Sequence, residues 1–130
     1  MSKVKPIGPI PAGYESIDGE LSIGGATASA LVAEHGSPLF IYSARHLDSR
    51  IEALRAAMPD QLHIHYAMKA NPYAPLLSHM VGLVDGIDIA SGGELAMALG
   101  AGASANHISF AGPGKRDEEL RQAIKAGVTI

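Results

Sequence analysis

Two residues in this chain stand where their chemistry needs explaining: a lysine that closes one apolar run and an aspartate inside another. The segment His65-Tyr66-Ala67-Met68-Lys69-Ala70-Asn71-Pro72 reads as a short apolar strand that ends at Lys69 and is stopped by Asn71-Pro72. A lysine at the tail of a buried strand is costly unless its amine is used, because an ammonium loses its hydration there. Burial of an amine favours its neutral form, and a neutral amine condenses with a carbonyl to give a Schiff base. Asp88 lies within Gly86-Ile87-Asp88-Ile89-Ala90-Ser91. A carboxylate inside an apolar strand needs a partner, and from the neighbouring strand it can meet the Lys69 amine or its imine.

Side chains alternate along a strand, so His63, His65, Ala67 and Lys69 share one face of residues 63–69. Ile64, Tyr66 and Met68 share the other, which would pack on helices and leave Lys69 in a barrel lumen at the carboxyl end of its strand. Two histidines on one face could hold zinc or iron and make a metal-dependent hydrolase. They lie at the start and middle of the strand, however, and read better as core or hydrogen-bonded residues. The loop Gly112-Pro113-Gly114-Lys115-Arg116 resembles a phosphate loop, but Ser109 and Arg116 stand where that pattern needs glycine and serine or threonine. In Ser91-Gly92-Gly93-Glu94-Leu95, Ser91 can cap a helix and Glu94 can face its N-terminus. Tyr42, Tyr66 and Tyr73 read as packing residues.

The elements that must position these residues follow a rhythm. Strands are expected at 63–69, 84–91, 107–112 and 127–130, with helices at 74–81, 93–99 and 117–126 between them. Strand and helix alternating at this spacing imply right-handed crossovers and a parallel sheet, open or closed into a barrel. Asp117, Glu118 and Glu119 at one helix start and Lys125 near its end suit the helix dipole. Before this rhythm come a Pro- and Gly-rich arm over residues 1–20 and a short strand, Leu21-Ser22-Ile23, closed by Gly24-Gly25. A helix is expected over residues 27–35, an apolar strand at Leu39–Tyr42, and a helix from Ser43 to about Met58 with Leu47, Ile51 and Leu54 on one face. Four strand–helix beginnings make about half of an eight-stranded barrel, which runs to roughly 250 residues. The chain reads as the front half of such a barrel.

Composition narrows the classes. Of 130 residues 47% are apolar and the formal net charge is -3, which suits a soluble globular protein and not a nucleic-acid binder. With no cysteine there is no disulfide framework, thiolate zinc site or thiol nucleophile in this stretch. Met1–Tyr14 has no apolar h-region and no window approaches a membrane span, so a cytoplasmic location without membrane partners is expected.

Residues Leu21 to Ile130 resemble the N-terminal part of the fold-type-III pyridoxal phosphate decarboxylases, the diaminopimelate/ornithine/arginine decarboxylase family. The matching pieces are Leu21–Gly25, Gly36–Tyr42, Tyr66-Ala67-Met68-Lys69-Ala70-Asn71, Asp88–Leu95 and Ile108–Lys115, in order and at the right spacing. The resemblance implies an alanine-racemase-like (β/α)8 barrel, whose first part is residues 36–130. Residues 1–35 would be an arm, a strand of a downstream β domain and a first helix. It implies that Lys69 is the lysine that holds pyridoxal 5'-phosphate, with Asp88 beside it and Ala67 and Ala111 lining the cofactor. The implied activity is decarboxylation of an amino acid, diaminopimelate in lysine biosynthesis before others, by a full-length homodimer with sites at the subunit interface, and this stretch alone is expected to lack a competent site. The ring-stacking histidine, the glycine-rich phosphate loop, the acidic partner of the pyridine nitrogen and a cysteine from the dimer partner are expected beyond Ile130. The Ala-Gly-Pro-Gly-Lys stretch also resembles relatives associated with exosortase and exopolysaccharide gene clusters. A non-catalytic pyridoxal phosphate-binding barrel is the alternative; such proteins lack a β domain, so the arm and the Leu21–Gly25 strand argue against it.

Overall fold

A computed structural model describes residues 9–11 and 13–130, in two compact units, one up to Leu47 and one from Asp48 to Ile130. In the first unit β1 (Glu15–Ile17), β2 (Glu20–Ile23) and β3 (Ala26–Thr27) form an antiparallel sheet in that order. Two-residue turns join them, and both need positive φ at their central residues: Asp18 and Gly19 in one, Gly24 and Gly25 in the other. Part of the expected arm is therefore the outer strand of a meander; residues 1–8 and 12 lie outside the described residues. Helix α1 (Ala28–His35) starts where Thr27 Oγ1 accepts from the Ala30 amide at 3.3 Å.

The strand expected at Leu39–Tyr42 does not form. The segment has no ladder partner among the described residues, and Phe40 and Tyr42 are exposed. A run of strand formers becomes a strand only where a neighbour satisfies its backbone.

Helix α2 (Ala44–Ala57) leads into the second unit. Its expected apolar face does not become a core stripe: Leu47 and Ile51 are half-buried and Leu54 is exposed. Polar contacts tie it down instead, as Asp48 Oδ1 lies 2.6 Å from His79 Nε2 and Arg55 pairs with Asp85.

The second unit is built on three parallel strands, β4 (His65–Ala67), β5 (Gly86–Ile89) and β6 (Ile108–Phe110), in sequence order. A parallel bridge from Ser109 to Thr129 opens a fourth position beside β6. Helices α3 (Ala74–Val81), α4 (Gly92–Gly100) and α5 (Asp117–Ala126) connect and follow them, within a residue of the sequence expectation. Met68, Leu77, Ile87, Ile89, Leu95, Ile108, Phe110 and Val128 form the buried core. Ile87 and Ile89 on β5 and Ile108 and Phe110 on β6 alternate, so each pair lies on one face of its strand. Helix α5 ends at Gly127, whose φ of 82° is the left-handed cap that glycine adopts without strain.

Candidate functional site

The face of the sheet away from the buried core carries the polar and small residues, and the register stacks them in rows. Ala67 pairs with Asp88, Asp88 with Ser109, and Ser109 with Thr129, so these four form one row across the strands. The row nearer the strand starts begins with His65 opposite Gly86. Just past the carboxyl ends lie Lys69, Ala90 and Ala111. Lys69, Ala67, Asp88 and Ala111, the four residues singled out from the sequence, line one cavity of about 150 Å³ with Ile89, Ala90, Glu94 and Gly112.

Lys69 does not continue the strand. β4 stops at Ala67, and Met68–Ala70 make a single 3-10 turn closed by the Asn71 amide on the Met68 carbonyl at 3.2 Å. Asn71 causes the bend: its carbonyl accepts from the Tyr66 hydroxyl at 3.0 Å and its side-chain oxygen from the Tyr73 amide at 3.0 Å. The turn buries Met68 completely and leaves Lys69 exposed at the cavity rim. Tyr66 packs against the core, whereas Tyr42 and Tyr73 are exposed.

Asp88 sits in the central strand, half-buried, and both flanking strands reach its Oδ1. The Ser109 hydroxyl donates to it from β6, and His65 Nδ1 lies 3.4 Å away on β4. Sequence reasoning missed Ser109, although its place between Ile108 and Phe110, in step with Asp88, was a readable signal. The sequence reads His65 as a core or hydrogen-bonded histidine; in the structure it is exposed, and its Nδ1 lies 3.4 Å from Asp88 Oδ1. Among the described residues no cluster of three or more histidine, cysteine or acidic side chains could hold a metal, so the hydrolase reading finds no support in His63 and His65.

The turn after β5 forms as the sequence suggested. Ser91 Oγ accepts from the Glu94 amide at 3.1 Å, and Glu94 Oε2 accepts from the Ala90 amide at 2.6 Å. Glu119 adds a contact the sequence did not reveal: Oε1 accepts from the Gly92 amide at 2.7 Å and Oε2 from the Arg116 amide at 2.9 Å. Those two amides, Gly92 first, hold the Glu119 carboxyl below its usual pKa. In the loop after β6, Lys115 Nζ donates to the Gly112 carbonyl at 2.6 Å.

The arrangement fits the reactive edge of pyridoxal phosphate. A lysine amine stands at the rim, Ala67, Ala90, Ala111 and Gly112 leave room for a flat ring, and Asp88 can face a cationic group beside the amine.

Comparison with known proteins agrees. The diaminopimelate decarboxylase of Aquifex aeolicus is 44% identical over 114 residues, covering 87% of this chain and 27% of that protein. The 2-[(L-alanin-3-ylcarbamoyl)methyl]-2-hydroxybutanedioate decarboxylase of Staphylococcus aureus is 42% identical over 89 residues, 68% of this chain and 22% of its own length. The crystal structure of the M. jannaschii diaminopimelate decarboxylase in complex with L-lysine superposes with a TM-score of 0.76 at 30% identity, over 88% of this chain and 28% of that one. The chain thus spans about a quarter of the length of the relatives it matches. Residues 44–130 match the family described as pyridoxal-dependent decarboxylase, pyridoxal binding domain, and the chain belongs to that family.

Proposed function

We propose that this chain supplies the lysine-bearing part of the cofactor site of an amino acid decarboxylase, acting on diaminopimelate or a closely related amino acid. The observation that carries this reading is the convergence of Lys69, Asp88, Ala67 and Ala111 on one cavity at the carboxyl ends of parallel strands. That end is where barrels of this kind place their chemistry. Pyridoxal phosphate, when bound, supplies an electron sink for the pair left at Cα as carbon dioxide departs.

The chain's own residues would do the rest. Lys69, at the cavity rim, would hold the cofactor through its side-chain amine. Asp88, fixed on the central strand, would hold positive charge next to that amine. Ala67 and Ala111 are small enough to admit the ring without contributing competing polar groups. The relatives' names favour diaminopimelate as substrate; a cytoplasmic homodimer is part of the proposal.

Protein expressed from its own gene, supplied with pyridoxal phosphate, is expected to release carbon dioxide from diaminopimelate and leave lysine. Tight cofactor binding without decarboxylation of any amino acid would favour the non-catalytic alternative.

A further inference from the structure

One pair of residues beneath the cavity is built with more care than a structural strand needs. His65 and Gly86 are register partners, and a Cβ at residue 86 would lie 2.5 Å from His65 Cε1 and 2.7 Å from its Nδ1. The imidazole therefore lies directly over the glycine. From that seat its Nδ1 comes within 3.4 Å of Asp88 Oδ1, the oxygen that also accepts from Ser109. At that separation a bare ring nitrogen would turn its lone pair on the carboxylate, so the favourable form carries a proton on Nδ1.

We propose that His65 is a positioning residue for Asp88: seated on Gly86, it and Ser109 grip Oδ1 from the two flanking strands and leave Oδ2 to the cavity's occupant. The aspartate is thereby held in one rotamer before anything binds. Freezing that side chain in advance lowers the ordering cost when a cationic partner arrives. It also keeps the carboxylate from swinging towards the Lys69 amine. The function assigned to Asp88 rests on the decarboxylase reading; the grip itself does not.

The test therefore has two readouts. In the cofactor-free protein, histidine-selective 15N NMR is expected to show His65 with its proton on Nδ1, and Asp88→Asn is expected to abolish that preference. Cofactor binding is then followed by the visible absorbance of added pyridoxal phosphate, in the unaltered protein and two variants. His65→Leu keeps the bulk and loses the polar contact, and is expected to weaken binding about two- to fivefold, the worth of a partly exposed polar pair. His65→Asn places a donor where Nδ1 stood and is expected to restore it. A His65 signal indifferent to Asp88→Asn, or equal affinity in the unaltered protein and His65→Leu, would overturn the proposal. If the unaltered protein binds no pyridoxal phosphate while the NMR response is present, the decarboxylase reading falls and the grip of His65 on Asp88 stands.

Discussion

Arg55 holds Asp85 in a two-pronged ion pair, with Nη1 3.0 Å from Oδ2 and Nη2 3.1 Å from Oδ1. Nη2 also donates to the Leu83 carbonyl at 3.0 Å, and Asp85 Oδ2 accepts from the Ile64 amide at 2.7 Å. One guanidinium on α2 thus fastens the segments that enter β4 and β5, the two strands that carry Ala67 and Asp88. Planar bidentate geometry makes this stronger than an ordinary surface pair.

Acid should release this fastening. The Arg55 hydrogen bond, and after it the Ile64 amide, lower the Asp85 pKa from 3.8 to about 2. A carboxyl depressed in the folded state contributes stability that is complete above its unfolded pKa and is lost as pH falls through the folded one. Urea midpoints should therefore fall as pH drops from 3.8 towards 2, and Asp85→Asn should flatten that part of the profile. Identical acid profiles for the two proteins would contradict the role given to this pair.

Gly86→Ala should destabilise the second unit by about 1–3 kcal/mol, the usual range for forcing extra volume into a close-packed site. The intruding methyl meets His65, which can move, and the His107 carbonyl oxygen at 2.6 Å, which is part of the backbone. Chemical denaturation checks this, and a change within error of zero would mean the strand yields more readily than its packing indicates.

Glu119→Ala should loosen two helix starts at once. The Gly92 and Arg116 amides both lose their acceptor, so their hydrogen exchange should quicken together while that of the buried strand β5 is unchanged. Faster exchange at only one of them would break the inferred coupling of the two turns.

Much of this architecture was legible in the sequence because its signals are local. The apolar alternation of Ile87, Ile89, Ile108 and Phe110 marks one face of each strand, and Ser91 and Gly127 mark helix ends by their backbone chemistry. Helices 74–81 and 117–126 fall on the residues expected. What escaped depends on neighbours distant in the chain. Leu39–Tyr42 has strand composition but joins no ladder among the described residues, and residues 15–17 look like a linker until β2 pairs with them. At the site, the resemblance marked Lys69, Ala67, Asp88 and Ala111, and strand alternation placed Ala67 on the face it occupies. It did not foresee the turn that exposes Lys69, which comes from Asn71 and Tyr66 gripping each other five residues apart. Nor could it reveal that Ser109 and His65 share one oxygen of Asp88, a consequence of register alone.

The central claim is that Lys69 is the residue through which the cofactor is held. The most direct measurement is reduction of the pyridoxal phosphate-treated protein with borohydride, followed by peptide mapping of the label. The account predicts a single modified lysine, Lys69, and loss of labelling in Lys69→Ala. Label on Lys115 or Lys125 in preference to Lys69, or labelling unchanged in Lys69→Ala, would contradict it.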